Sequence, residues 1–170
     1  HEGFQFEGAD ASLELLLREA AGSLTEVFSV ESFKIFVEKS ADRPNVVSEA
    51  IVKLNVGGES VFMAAEGNGP VNALDNALRK ALEQYYPAIQ DMYLADYKVR
   101  VIDEKNATAA KVRVLIESTD RNNSWSTVGV SENVIEASWQ ALVDSMRYAL
   151  IGQQPINNRH SNGKRLGLVN

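Results

Sequence analysis

The chain has 170 residues, 45% of them hydrophobic, and a net charge of −6. This length suits one domain, or two small lobes sharing a core, and the apolar content excludes a disordered chain. The acidic balance argues against a nucleic-acid partner, because phosphate binding needs a basic face.

The first predicted element is a helix. Asp10 is placed to cap it, Leu13, Leu16, Leu17 and Ala20 form its apolar stripe, and Gly22 ends it. A strand follows over 33–37, where Phe-Lys-Ile-Phe-Val alternates loosely. Asp42-Arg-Pro-Asn supplies a turn, and residues 47–56 form a second strand with Ile51, Leu54 and Val56 as apolar positions. Gly57-Gly58 is a tight hairpin signal leading into a third strand over 61–65. Next comes a helix with Val71, Leu74, Leu78 and Leu82 on one face, and Pro70 suits its first position.

The same order then recurs. Strands are expected over 93–103, 109–118 and 125–130, followed by a helix over 134–150 burying Ile135, Trp139, Leu142, Met146 and Leu150. Asn133 and Glu136 have capping-box spacing. One offset of 64 residues carries Phe33, Lys34, Ile35 and Val37 onto Tyr97, Lys98, Val99 and Val101. It also carries Ala50, Ile51 and Val52 onto Val114, Leu115 and Ile116, and Ala73, Ala77 and Leu78 onto Ala137, Ala141 and Leu142. A constant offset without gaps indicates internal duplication.

The expected fold is therefore α+β: two pseudo-symmetric βββα units, 24–87 and 88–152, packed about a pseudo-twofold axis behind a linker helix in 1–23. Residues 153–170 are polar and aperiodic, as a tail would be, and its basic run from Arg159 to Arg165 suits solvent. Three-stranded sheets expose edges, for which dimerisation is a remedy.

The chemistry is sparse. Cysteine is absent, which excludes disulfides and thiolate metal sites and fits a reducing cytoplasm. His1 and His160 stand near the chain ends, no His/Glu pair has metal-ligand spacing, and no Ser or Thr lies in a nucleophile elbow. Glu38, Asp103 and Glu117 read as solvated strand carboxylates. Catalytic residues and metal ligands are therefore expected to be none. No apolar run approaches the ~18–20 residues of a membrane span, and no signal-peptide pattern opens the chain. It begins at His1, which suits a domain taken from a larger protein.

Two segments could hold a small molecule. In Glu66-Gly-Asn-Gly-Pro-Val-Asn-Ala73, Gly67 and Gly69 permit close approach, and the helix starting at Pro70 directs free N–H groups at that space, where a carboxylate or phosphate would be attracted. The plainer reading is a strand-to-helix turn that needs positive φ. In Tyr93-Leu-Ala-Asp-Tyr97, Asp96 could meet an ammonium group while Leu94, Tyr97 and Val101 line an apolar wall opposite the small Ala109 and Ala110. The plainer reading there is an acid at a strand start beside core residues. Together the segments describe a pocket for a zwitterion with an aliphatic side chain.

Four segments then carry a resemblance: Gly3-Phe-Gln-Phe-Glu-Gly-Ala-Asp-Ala-Ser-Leu-Glu-Leu-Leu, Glu66–Leu74, Asp96-Tyr-Lys-Val-Arg-Val101, and Thr127-Val-Gly-Val-Ser-Glu-Asn-Val-Ile135. Across Gly3 to Gly152 the chain resembles the C-terminal part of (R)-citramalate synthases, within the α-isopropylmalate synthase group. The resemblance implies a regulatory and homodimerising domain built from paired βββα units. It implies binding of an end-product amino acid, isoleucine or leucine, near the dimer interface, with Leu94, Tyr97 and Val101 as the effector wall, Ala109 opposite, and the Gly67–Gly69 loop in the regulatory apparatus. It implies that a separate barrel of the same chain condenses acetyl-CoA with pyruvate using a divalent metal, so that this region needs no cofactor and is inactive alone. Two further readings stay open: a purely structural dimerisation module, and a leucine-sensing domain of an α-isopropylmalate synthase.

Overall fold

The computed structural model describes residues 8–42, 44–102 and 110–156. The elements run α1 (Asp10–Ala20), β1 (Ser29–Glu38), β2 (Val47–Val56), β3 (Glu59–Gly67), α2 (Pro70–Glu83), a 3-10 turn at Pro87–Asp91, β4 (Tyr93–Val101), β5 (Val112–Thr119), β6 (Ser124–Ser131) and α3 (Val134–Ala149). The strands form two antiparallel three-stranded sheets, β1-β2-β3 and β4-β5-β6, each followed by its helix. This is the expected α+β duplication. The 3-10 turn is an addition to the predicted elements.

The duplication reaches the backbone irregularities. The β1–β2 register shifts between Val30 and Ser32, and the β4–β5 register shifts between Leu94 and Asp96. The bulged residues, Glu31 and Ala95, are themselves 64 positions apart. A bulge adds one residue to one strand and so reverses which side chains face inward beyond it. It therefore places Leu94 on the same face as Tyr97, Val99 and Val101.

Alternation on β2 decides the first core. Ala50, Val52, Leu54 and Val56 are buried, so Ile51, expected among the core positions, faces outward. Between β2 and β3, Gly57 and Gly58 both have positive φ, as a two-residue hairpin of the primed type demands. Leu74, Leu78 and Leu82 of α2 are fully buried, as are Leu142, Met146 and Leu150 in and just beyond α3. One continuous cluster contains these residues together with Val52, Leu54, Val114 and Ile116, so the two copies share an interior. Phe33 of the first copy packs on Trp139 of the second, with ring centroids 5.0 Å apart.

The second copy carries hydroxyls where the first is apolar. Trp125 donates Nε1–H to the carbonyl and Oγ of Ser145, Ser145 Oγ donates to Ser118 Oγ at 2.6 Å, and Thr127 Oγ1 donates to the Ala141 carbonyl at 2.7 Å. The positions 64 residues earlier than Ser118, Thr127 and Ser145 hold Leu54, Met63 and Ala81. Satisfied hydroxyls of this kind cost little, and they make the two interiors non-interchangeable.

Of the expected helix starts, the α1 cap differs and the α3 cap holds. Asp10 is the first helical residue of α1 rather than its cap, and Ala9 precedes it without a side-chain hydrogen bond. At α3, Asn133 Oδ1 accepts from the amides of Ile135 (2.8 Å) and Glu136 (3.4 Å). The return arm of the box instead runs through Ser131, whose hydroxyl donates to Glu136 at 2.6 Å and accepts from the Asn133 amide at 3.1 Å. Beyond Gly152, the Ile156 amide donates to the Tyr85 carbonyl at 2.9 Å, and residues 157–170 of the expected tail lie outside the described residues.

α1 buries a different face from the one its leucines suggest. Ala11, Ser12 and Leu15 are buried, whereas Leu13, Leu16 and Leu17 are 37%, 49% and 60% exposed. The helix covers the free edge of β6: the Val128 amide donates to Ser12 Oγ at 3.0 Å, and the next outward amide, Val130, donates to Gln140 Oε1 at 3.0 Å. Capping edge amides in this way protects them from pairing with another strand.

Ser12 also donates to Asp144 Oδ2 on α3 at 3.3 Å. Burial pushes the Asp144 carboxyl up to about 6, with Glu19 adding repulsion and Arg147 and the Ser12 hydroxyl pulling the other way. A carboxyl that holds its proton more tightly in the folded state favours folding at low pH. That contribution is lost as pH rises from about 4 through 6. We expect Asp144→Asn to stabilise the chain at pH 7 by about 2 kcal/mol, and to remove this part of the pH dependence, in urea unfolding at pH 4.5 and 7. Equal stabilities of both forms at pH 7 would contradict it.

Candidate functional site

Each sequence-indicated residue except Ala109 has a definite place. Leu94, Tyr97 and Val101 share the inner face of β4, brought into line by the bulge at Ala95. Leu94 and Tyr97 are half-buried against the common core, while Val101 is 54% exposed. The face thus begins under the helices and emerges into solvent along one strand. The Tyr97 hydroxyl lies 2.9 Å from Ser138 Oγ, whose own hydroxyl donates to the Val134 carbonyl at 2.6 Å, so the ring is pinned by α3. Ala109 lies outside the described residues.

Asp96, which the sequence reading pairs with an ammonium group, stands on the opposite face. It lies across from Glu117, whereas Tyr97 lies across from Ile116. Its carboxylate is in an ion pair with Lys98 and accepts the Tyr97 amide at 2.9 Å, and both contacts hold it below the usual carboxylate range. The physical reason is the bulge: it turns Leu94 inward with Tyr97 and leaves Asp96 outside.

Gly67 and Gly69 sit between β3 and α2, and neither has positive φ. Gly69 is extended at φ −170°, and an added Cβ there would meet nothing. Gly67 is needed for contact, since a Cβ would stand 2.3 Å from the Ala73 amide nitrogen. The turn therefore requires close approach rather than the positive φ of the plainer sequence reading. The loop borders an open groove of about 750 Å3 lined by Asn45, Asn68, Asn72 and Asn76. Asn76 donates to the Glu66 carbonyl at 2.9 Å, and Asn72 Oδ1 accepts the Asn68 amide at 3.1 Å. The cap position of α2 is Gly69, which has no side chain to accept from the first turn, in contrast to Asn133 at α3. An uncapped helix start beside polar side chains suits a carboxylate.

Sequence reasoning passed over Asp75. It lies on the buried face of α2 between Leu74 and Leu78, and its side chain is only 10% exposed. Arg79 Nε donates to its Oδ2 at 2.9 Å, and Arg79 also donates to the Met92 carbonyl, just before β4. Oδ1 is buried and has no hydrogen-bond partner among the described residues. The signal available in the sequence was a carboxylate within the apolar stripe formed by Val71, Leu74, Leu78 and Leu82.

Among the described residues no group of three or more His, Cys, Asp or Glu could hold a metal ion, and no helix is long and apolar enough to cross a membrane.

Comparison with known proteins gives the family. The model of the LeuA allosteric (dimerisation) domain matches residues 7–150. The chain is 53% identical over 150 residues to the (R)-citramalate synthase of Geobacter sulfurreducens, covering 88% of this chain and 28% of that protein. The identity and coverage are the same for the (R)-citramalate synthase of Aquifex aeolicus. The 2-isopropylmalate synthase of Pseudoalteromonas atlantica is more distant, 25% identical over 124 residues, covering 73% of this chain and 22% of that protein. The chain thus spans little more than a quarter of its citramalate synthase relatives. By the extent of the family match and the level of identity, the chain belongs to the LeuA allosteric (dimerisation) domain family, on the citramalate synthase side.

Proposed function

We propose that this domain binds a branched-chain amino acid, isoleucine in preference to leucine, and thereby feedback-inhibits a homodimeric citramalate synthase. The observation that carries the reading is the apolar wall of Leu94, Tyr97 and Val101, which starts in the core and opens to solvent on a single strand face. The uncapped start of α2 at the Gly67–Gly69 loop supplies a fitting place for a carboxylate, and Ala109 is proposed opposite the wall. In this reading acetyl-CoA, pyruvate and a divalent metal belong to a catalytic barrel elsewhere in the full-length chain, and this domain supplies regulation alone. The effector acts by binding one arrangement of the dimer more tightly than another, for which ~1–3 kcal/mol of difference is sufficient.

Calorimetry of the 170-residue chain with isoleucine, leucine and valine tests the proposal. Isoleucine is expected to bind most tightly, and Tyr97→Ala to weaken binding by roughly 10–100-fold through loss of apolar contact. Absence of heat and of thermal shift with all three would reject effector sensing. One or two methyl groups separate these ligands, so a preference of ~10–100-fold is the most a simple slot would supply.

A structural dimerisation module is the second reading. It is favoured by the exposure of Val37 and Val101 on the two symmetry-related edge strands, β1 and β4. It expects Tyr97→Ala to weaken assembly in sedimentation experiments while no branched-chain amino acid changes the sedimentation of either form.

A further inference from the structure

The outer face of the second sheet carries charges in an arrangement that strand pairing does not favour. Arg100 of β4 lies directly across from Arg113 of β5, and Lys98 lies across from Leu115. Residues two apart on a strand share a face, so these four side chains form one block, turned away from the Leu94, Tyr97 and Val101 wall. Together they line a hollow of about 260 Å3. Like charges directly opposite in an antiparallel pair are destabilising, whereas opposite charges are the favoured pairing. Elsewhere on the sheets the favoured rule holds: Lys53 of β2 pairs with Glu31 of β1 at 2.6 Å.

The first copy shows that the fold does not impose two arginines here. Subtracting 64 takes Lys98, Arg100, Arg113 and Leu115 to Lys34, Phe36, Glu49 and Ile51. Phe36 lies across from Glu49 in the first sheet. The second sheet thus holds two guanidinium groups where the first holds a ring and a carboxylate. The acids of the same face stand to one side, because Asp96 lies across from Glu117, beyond Lys98 and away from the arginines. The hydrogen bond from Lys98 to Asp96 holds the ammonium above its usual range, and the nearby Arg100 charge works against it.

An anion bearing more than one negative charge turns this repulsion into attraction. Each guanidinium is a planar fork that matches a pair of oxyanion oxygens, and two facing forks suit a tetrahedral group with three free oxygens. The chain as a whole carries −6, so anions are repelled at long range and are held only where cations cluster.

We propose that Lys98, Arg100 and Arg113 form a binding site for a phosphoryl group, either free phosphate or the end of a phosphate ester. The site is independent of the effector reading, since it uses the opposite face of the sheet.

Inorganic phosphate and glycerol 3-phosphate are titrated by calorimetry into the 170-residue chain, against sodium chloride of equal ionic strength. Saturable binding is expected with phosphate-bearing ligands and none with chloride. Tighter binding of the ester would identify an ester as the natural ligand, and tighter binding of phosphate the free ion. At about ten times the measured Kd, the melting temperature should rise by about 3–6 °C. Arg100→Gln and, separately, Arg113→Gln should weaken binding by roughly 10–100-fold. Lys34→Gln, on the corresponding face of the first sheet, should leave it unchanged. Absence of saturable binding by the unaltered chain would overturn the proposal whether or not the variants fold. An equal rise in melting temperature for the unaltered chain and both arginine variants would also overturn it, being the general effect of an excluded salt. Absence of binding together with altered sedimentation of Arg100→Gln would assign the arginines to an acidic protein surface instead. Each of these results leaves the response to branched-chain amino acids untouched.

Discussion

Gly129→Ala is expected to lower stability by about 3 kcal/mol or more, or to prevent folding at 37 °C. Gly129 lies on the inner face of β6, directly beneath α3. A Cβ at this position would stand 1.9 Å from the Ala137 carbonyl oxygen and 2.8 Å from its carbon. Both are backbone atoms of a helix that also packs on β5 and α1, so relief requires the whole of α3 to lift from its sheet. That movement would strain the Thr127–Ala141 and Trp125–Ser145 hydrogen bonds at the same time. Gly69→Ala is the control: its backbone is extended and its Cβ would enter open space, so a change within about 1 kcal/mol is expected. Urea unfolding followed by circular dichroism reads both variants. A Gly129→Ala protein as stable as its Gly69→Ala counterpart would mean that α3 does not sit this closely on β6.

Trp139→Ala is expected to cost about 3–5 kcal/mol, the usual range for removing a large buried aromatic. Trp139 is buried and meets Phe33 across the boundary between the two copies. It therefore belongs to the shared interior as well as to its own βββα unit. The unfolding transition should shift to lower urea and remain single, because Leu74, Leu78, Leu142 and Met146 still hold the copies in one cluster. A second transition appearing in this variant would show that the ring pair alone couples the halves. A loss below about 1 kcal/mol would show that the indole is not packed as described.

Much of the architecture was legible in the residues. The offset of 64, the paired glycines at 57 and 58, and the apolar stripes of α2 and α3 are all local signals, and each matches an element of the structure. The misreadings share a cause. Ile51 and the leucines of α1 are apolar, but which side of an element turns inward depends on what packs against it. Leu13, Leu16 and Leu17 outnumber Leu15, yet the small residues Ala11 and Ser12 allow α1 to lie close on β6 and α3. Periodicity shows that a helix is amphipathic and does not show which neighbour covers it.

The candidate site divides along the same line. Leu94, Tyr97 and Val101 could be named as an apolar set from β-type residues in one segment, but their spacing of three and then four does not fit simple alternation. Only the bulge at Ala95 brings Leu94 and Tyr97 onto one face and sends Asp96 to the other. A bulge depends on how two strands pair, and residues distant in the chain decide that. Asp75 is the clearest instance. In the sequence it is one acid in a helix, and only the fold shows it buried with Arg79 holding a single oxygen.

Order of elements, duplication and family membership could all be read from the residues alone, because these rest on short-range patterns and on repetition. The tertiary structure alone decided which face each element buries, where the two copies differ inside, and which carboxylate is shut away from water. These depend on contacts between residues far apart in the chain, and the cost of leaving a charged oxygen unpaired arises only once the fold has closed around it.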